Sequence, residues 1–155
     1  MDKDALTQAM KDSISEVLET MFFMPVDFMC TGNGKDKPAD KTEPIAAQLH
    51  FSGPVSGCIR LTAPKNLARD ISSDFLGIDP DEVAPEDMVG TVKEMINMLA
   101  GNTLSLYDPK VVFDMGVPEI ISGKDPLNRN IDEYELIRLE IQTLASCMTM
   151  VVGYK

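Results

Sequence analysis

The stretch that most constrains this chain is residues 86–105, EDMVGTVKEMINMLAGNTLS, which carries apolar residues at helical spacing with no internal proline. At about 100° per residue, Met88, Val89, Val92, Ile96, Leu99 and Thr103 gather into one stripe, which predicts a helix with that stripe turned toward a core. Glu94, Asn97 and Gly101 fall roughly opposite. A carboxylate and a carboxamide one turn apart, followed by a residue without a side chain, form a polar face that a helix does not need, and a second surface can approach the backbone there. Pro85, Glu86 and Asp87 suit the positively polarised start of such a helix. Tyr107-Asp108-Pro109 marks its end, because proline cannot continue the ladder.

Around this helix the chain alternates between helical and extended patterns. Leu6, Met10, Ile14, Val17, Leu18 and Met21 recur at steps of three and four, predicting a first helix from residue 4 to about 23, with Asp4 as N-cap and Pro25 marking its end. A short extended piece near residues 26–29 leads into a run rich in Gly, Lys, Asp and Pro, where residues 31–42 are expected to form a mobile surface excursion. Residues 45–52 and 55–63 read as two strands of a hairpin about Gly53-Pro54. Pro64 suits the first turn of a second helix, residues 64–76, with Leu67, Ile71 and Phe75 on one face and Gly77 ending it. Beyond Pro109, short extended pieces are expected at 111–115 and 119–122, a turn-rich loop at 123–130, and two hairpin-linked strands at 134–142 and 144–154. The order helix, strands, helix, helix, strands predicts an α+β fold of two layers, with long helices packed on one face of a mostly antiparallel sheet. Glu16-Val17-Leu18-Glu19 can be laid over Glu94-Met95-Ile96-Asn97, each helix preceding a strand-rich half, so an internal two-fold repeat is a further expectation.

Composition narrows the function classes. A chain of 155 residues, 44% hydrophobic and 25% charged, fits one soluble globular domain with a single core. A formal net charge of −11 argues against non-specific binding to nucleic acid or anionic lipid, which requires basic residues to neutralise phosphates. Cys30, Cys58 and Cys147 are widely spaced and form no CxxC pair, so neither a disulfide framework nor a zinc site is indicated, and a reducing cytoplasm is the expected setting. The first residues lack the apolar core of a secretion signal, and no run approaches the roughly 18 apolar residues of a membrane span.

Other motifs fail on spacing. His50, the only histidine, has no second ligand or catalytic partner near it in sequence and lies in a strand pattern. Gly32-Asn33-Gly34-Lys35 lacks the phosphate-loop spacing, and the acids Asp79, Asp81, Glu82, Glu86 and Asp87 lack the glycine and terminal glutamate of a calcium loop. A carboxylate-based metal hydrolase needs several converging ligands, whereas these acids sit at helix starts and turns. No cofactor or metal is expected on this chain.

The run Glu94-Met95-Ile96-Asn97-Met98-Leu99-Ala100-Gly101-Asn102 resembles the signature helix of the CheC/CheX/FliY family of bacterial chemotaxis phosphatases, which has Glu, two residues, Asn, then a small-residue segment, with a proline further on. Here that proline is Pro118, slightly closer than usual. A single motif copy, the chain length, the order of elements and the phrase Leu18-Glu19-Thr20-Met21 are most similar to CheX-like chains. The resemblance implies one CheX-like domain over residues 1–155, and a hydrolase that removes the aspartyl phosphate from a CheY-like response regulator in chemotaxis or related two-component signalling. The phosphoryl group and its Mg²⁺ would remain on the regulator. Glu94 would engage the regulator's active-site lysine, and the Asn97 carboxamide would hold a water in line for attack, a task of positioning that needs no titrating base.

By the same resemblance the protein would be a homodimer built by joining sheets, with the two C-terminal strands supplying an uncapped edge. Gly90, Met98 and Gly101 are candidate partner contacts. Met95 and Met98 flank the polar pair, where an exposed methionine would serve as an adaptable contact surface. The family often carries Asp or Ser four residues before the Glu, where this chain has Gly90. A Glu and an Asn on a wet helix face are, by spacing alone, most often simply solvated. The alternative is therefore a catalytically inactive module of the same fold that binds a signalling or flagellar-motor partner through this face.

Overall fold

A computed structural model describes residues 1–28, 43–121 and 134–155 of the chain. The elements, in order, are α1 (Lys3–Met21), β1 (Ile45–Ser52), β2 (Gly57–Ala63), α2 (Lys65–Leu76), a 3₁₀ turn (Pro80–Glu82), α3 (Pro85–Tyr107), β3 (Asp114–Met115), β4 (Glu119–Ile121), β5 (Glu135–Gln142) and β6 (Cys147–Tyr154). The expectations for residues 31–42, for Cys30 and for the loop at 123–130 lie outside the described residues.

The α+β architecture is the expected one. One antiparallel sheet runs β3-β1-β2-β6-β5, with β4 also pairing β1. Alternation dictates its faces. Ala47, Leu49 and Phe51 of β1, Ile59 and Leu61 of β2, Met148, Met150 and Val152 of β6, and Ile137 and Ile141 of β5 all join one core with residues of the three α-helices. The other face is polar: the Arg60 guanidinium donates to Gln48 Oε1 at 2.9 Å, and the Thr149 hydroxyl donates to Glu140 at 2.8 Å. His50 is an exposed strand residue.

The strand order β1-β2-β6-β5 is symmetric about the β2–β6 pairing, which is antiparallel and runs from Gly57↔Tyr154 to Thr62↔Thr149. Each outer strand is the hairpin partner of its inner neighbour, and α1 precedes one hairpin as α3 precedes the other. The helices share a burial rhythm as well. Glu16 and Glu19 are exposed around buried Val17 and Leu18, as Glu94 and Asn97 are around buried Met95 and Ile96. This is the layout expected of two related halves.

Element ends differ from expectation where a side chain or turn outcompetes periodicity. The N-cap of α1 is Asp2, not Asp4: its Oδ1 accepts from the Ala5 N–H at 3.0 Å, leaving Asp4 in the first turn. The first helix stops at Met21 because Phe23 takes a left-handed conformation, φ 53°. Pro64 is the N-cap of α2 rather than its first helical residue, and Gly77, φ 67°, closes that helix with its N–H on the Ser73 carbonyl. β6 begins at Cys147 instead of 144, since Thr143 and Ser146 close a turn in which the Thr143 N–H and hydroxyl both donate to the Ser146 carbonyl, each at 2.8 Å. β6 is also an inner strand, so of the C-terminal pair only β5 presents an outer edge, bridged among the described residues by Asp27 at Gln142.

Gly57 sits where three strands crowd, β2 itself, β1 and β6. A Cβ there would lie 2.3 Å from the Gly153 carbonyl oxygen and 2.4 Å from Phe51 Cζ. Backbone cannot yield as a flexible side chain does, so Gly57→Ala is expected to destabilise the protein by about 1–3 kcal/mol, measured by urea denaturation.

Candidate functional site

The candidate site lies on α3, whose mounting decides what it can present. Pro85 stands at N1, and Asp87 Oδ2 accepts from the Ala84 N–H at 2.9 Å, fixing the start of the helix. The buried residues are Met88, Thr91, Val92, Met95, Ile96, Leu99, Ala100, Thr103 and Leu104. That arc is wider than the single stripe read from periodicity because α3 packs on α1, on α2 and on β1 and β2 together. Val89, expected in the stripe, is only half-buried. Ser13 on α1 donates to the Leu99 carbonyl at 3.1 Å, Asn102 Nδ2 donates to Glu16 Oε2 at 3.2 Å, and the Tyr107 hydroxyl accepts from the Asp2 N–H at 3.0 Å. These bonds tie the middle and end of α3 to α1.

What remains open is a narrow strip containing Gly90, Glu94 and Asn97, all exposed. Glu94 and Asn97, at i and i+3, stand side by side with Cβ atoms about 5–6 Å apart. Neither has a hydrogen-bond or ion-pair partner among the described residues, so the fold spends neither group internally. The pair can therefore offer one negative acceptor and one neutral donor–acceptor to an incoming surface, from a rigid helix.

The other candidates divide. Met98 is half-buried against the core. Met95 is core, 1% exposed, so it offers no contact surface beside the pair. Gly101 is half-buried because the chain's own Met115 lies over it, with Cε 3.4 Å and Sδ 3.9 Å from where a Cβ would stand. Met115 is held there by β3, paired to β1 at Phe51, and by the Gly116 N–H donating to the His50 carbonyl at 2.8 Å. This contact was invisible in the sequence, since two strand residues carry no periodic signal. It brings a run with exposed Val112 and Val117 beside the C-terminal half of α3.

No group of three or more His, Cys, Asp or Glu among the described residues could hold a metal ion. Two acids of the 79–87 run serve as local caps: Asp79 accepts from the Asp81 N–H at 3.3 Å, and Asp87 caps α3. Burial pushes the Cys58 thiol up, with Arg60 working in the opposite direction, so Cys58 is held as a protonated thiol rather than a nucleophile. No helix among the described residues is long and apolar enough to cross a membrane.

An open antiparallel sheet with the three α-helices packed on one face defines a CheC-like α+β protein. A family model described as chemotaxis phosphatase CheX matches residues 45–142, more than half of the chain, and the chain belongs to that family. Solved structures share the whole fold. A CheC-like superfamily protein from Shewanella sp. PV-4 superposes with a TM-score of 0.75 at 21% identity, covering 100% of this chain and 99% of its own. Chemotaxis protein CheX from Vibrio vulnificus gives a TM-score of 0.75 at 22% identity, over 97% and 96% of the two chains. CheX of Borrelia burgdorferi, solved in a complex with CheY, BeF₃ and Mg²⁺, gives 0.65 at 20% identity, over 97% of each. No curated protein sequence matches.

Packing does not require the glycine at Gly90, since a Cβ there would meet nothing within 4 Å. A glycine inside an exposed helix lowers stability relative to alanine by about 0.5–1 kcal/mol. Gly90→Ala is accordingly expected to raise stability by that amount, read as a higher urea midpoint with an unchanged slope.

Proposed function

We propose that this chain, as one CheX-like domain acting in the cytoplasm, dephosphorylates a CheY-like response regulator, with Glu94 and Asn97 carrying the reaction. The observation behind this reading is the exposed, internally unpartnered Glu94–Asn97 pair on α3 of a chain that belongs to the CheX family. The Borrelia burgdorferi CheX, alike in fold, is found with CheY, BeF₃ and Mg²⁺, which supports a regulator of that type as the partner.

The division of labour follows from the two groups. The phosphoryl group and Mg²⁺ belong to the regulator, so the phosphatase need only place a nucleophile. Asn97 can accept from and donate to one water at once, and it stays neutral at every pH of interest, so it orients that water without repelling the phosphoryl oxygens. Glu94, a carboxylate one turn earlier, pairs with the regulator's lysine and holds the surfaces in register. Gly90 keeps the strip low on the N-terminal side, so the regulator can come close to the helix backbone; Met98 and the Met115 side chain over Gly101 bound it on the other side. Placing the groups on a helix buried on most of its circumference removes the need to order them on docking.

A second reading has a specific observation behind it. Gly90 stands where the family often has Asp or Ser, which favours a domain that binds its regulator or a flagellar-motor partner with little or no catalysis. Single-turnover phosphate release from phosphorylated regulator, paired with binding to a stable phosphoryl mimic, separates the two. Asn97→Ala is expected to lower acceleration on the order of 10²-fold and to shift stability by no more than about 0.5 kcal/mol, with binding nearly intact. Glu94→Ala is expected to weaken binding and rate together. Wild-type acceleration in Asn97→Ala would overturn the catalytic assignment, and binding without acceleration by the wild type would favour the inactive module.

The reading includes a homodimer joined through the outer edge of β5, a full eight-residue strand whose other side is taken by β6. Light scattering at micromolar concentration is expected to give a dimer mass; a monomer mass independent of concentration would remove this part of the proposal.

A further inference from the structure

A groove of about 350 Å³ lies between the end of α1, α2 and the β5–β6 turn, and among the described residues it shares none with the Glu94–Asn97 strip. Its floor is apolar: Phe22 is buried and stacks at 4.9 Å on Phe75, next to Ile71 and Leu67 of α2. Its two lips are exposed apolar residues, Phe23 at 77% and Leu144 at 91% exposure. Among the described residues, the only charged ones lining it are Asp70 and Asp74, one turn apart on α2, and neither has an ion-pair or hydrogen-bond partner there.

Phe23 stands out because its placement is costly twice over. The end of α1 is reversed at this residue: the Leu18 carbonyl accepts from both the Phe22 N–H at 3.3 Å and the Met24 N–H at 2.9 Å, with Phe23 at φ 53° between them. That conformation suits glycine, which ends α2 in the same way at Gly77. A bulky aromatic there is unfavourable for the backbone, and leaving its ring in water forgoes the burial that could offset it.

We propose that this groove docks a basic peptide segment of a partner protein, with one bulky apolar side chain seated between Phe23 and Leu144 and a flanking arginine or lysine paired with Asp70 and Asp74. Charge complementarity selects this occupant. The two carboxylates, unpaired among the described residues, favour a cation beside the apolar anchor. A second copy of this chain, net charge −11, brings mostly carboxylates to the same rim, and an anionic membrane surface is repelled.

The test uses the full chain and a fluorescein-labelled peptide in which a Leu-Phe pair lies between Arg pairs, followed by anisotropy, with no regulator present. Saturable binding is expected, weaker by about tenfold or more when Glu replaces Arg or Ser replaces Leu-Phe, and weakening as salt is raised. The double substitution Asp70→Asn, Asp74→Asn, both at exposed positions, is expected to weaken binding about fivefold. Phe23→Gly supplies the sharper readout: the melting temperature rises as the left-handed residue becomes glycine, while peptide affinity falls about tenfold. Regulator dephosphorylation by these variants is expected to match wild type, so failure here is distinguishable from failure of the phosphatase reading. Equal binding of the Glu peptide, or undiminished binding by both Phe23→Gly and Leu144→Ser, would overturn the proposal. A doubled mass that reverts in Leu144→Ser would likewise overturn it, in favour of a second copy.

Discussion

The rest of the molecule depends on the burial of α3 from three directions. Ser13 of α1 donates to the Leu99 carbonyl, Met88, Val92 and Met95 lie in the same continuous core as Leu67 and Ile71 of α2, and Ile96 and Leu99 are fully buried in the cluster that includes the inner face of β1 and β2. Each fully buried aliphatic side chain of this kind contributes about 1.5–3 kcal/mol relative to exposure, so the helix can neither roll nor shift register without losing several at once. That leaves one strip of its circumference open. A site confined to so narrow a strip is limited to residues at helical spacing, which is why two side chains suffice to describe it.

Much of this was readable in the sequence, and the reasons are physical. Long periodic segments announce themselves, so α3, α2 and both hairpins fell where alternation or a three-to-four step placed them, and the exposed face of α3 with Glu94 and Asn97 followed from the same periodicity. What periodicity cannot report is how many neighbours a helix has. Thr91, Met95, Ala100 and Leu104 are buried because α1 and α2 flank α3, a tertiary fact that widened the apolar arc beyond one stripe. Element ends were less legible because single polar atoms decide them, Asp2 over Asp4 at the start of α1 being a competition between two equivalent side chains two residues apart. Met115 over Gly101 lay beyond reach, since β3 is two residues long and its pairing with β1 spans more than sixty positions of sequence.

The ends of α1 and α2 show one backbone requirement met in two ways. Both helices reverse through a left-handed residue; α2 uses Gly77, which pays little for it, and α1 uses Phe23, which does not satisfy it comfortably. Local consistency between sequence and backbone is the general expectation for a folded chain, and departures concentrate where something other than folding is at stake. Gly90 is the converse case, a flexible residue set where a rigid one fits.

The symmetric strand order also sets the sequence of events by which the protein forms. The β1–β2 and β5–β6 hairpins close short loops and can form early, but the β2–β6 ladder joins residues 57–62 to residues 149–154 across most of the chain. Such non-local pairing carries the loop-closure entropy and slows folding relative to a helical protein of the same size. Until β6 is in place, β2 has one open edge and Ile59 and Leu61 lack the neighbours Val152 and Met150 that complete their layer. The helix that carries the polar pair is thus made before β6 yet gains its full support only when that strand zips into the centre of the sheet, so the folding chain must keep that apolar surface from pairing elsewhere in the meantime.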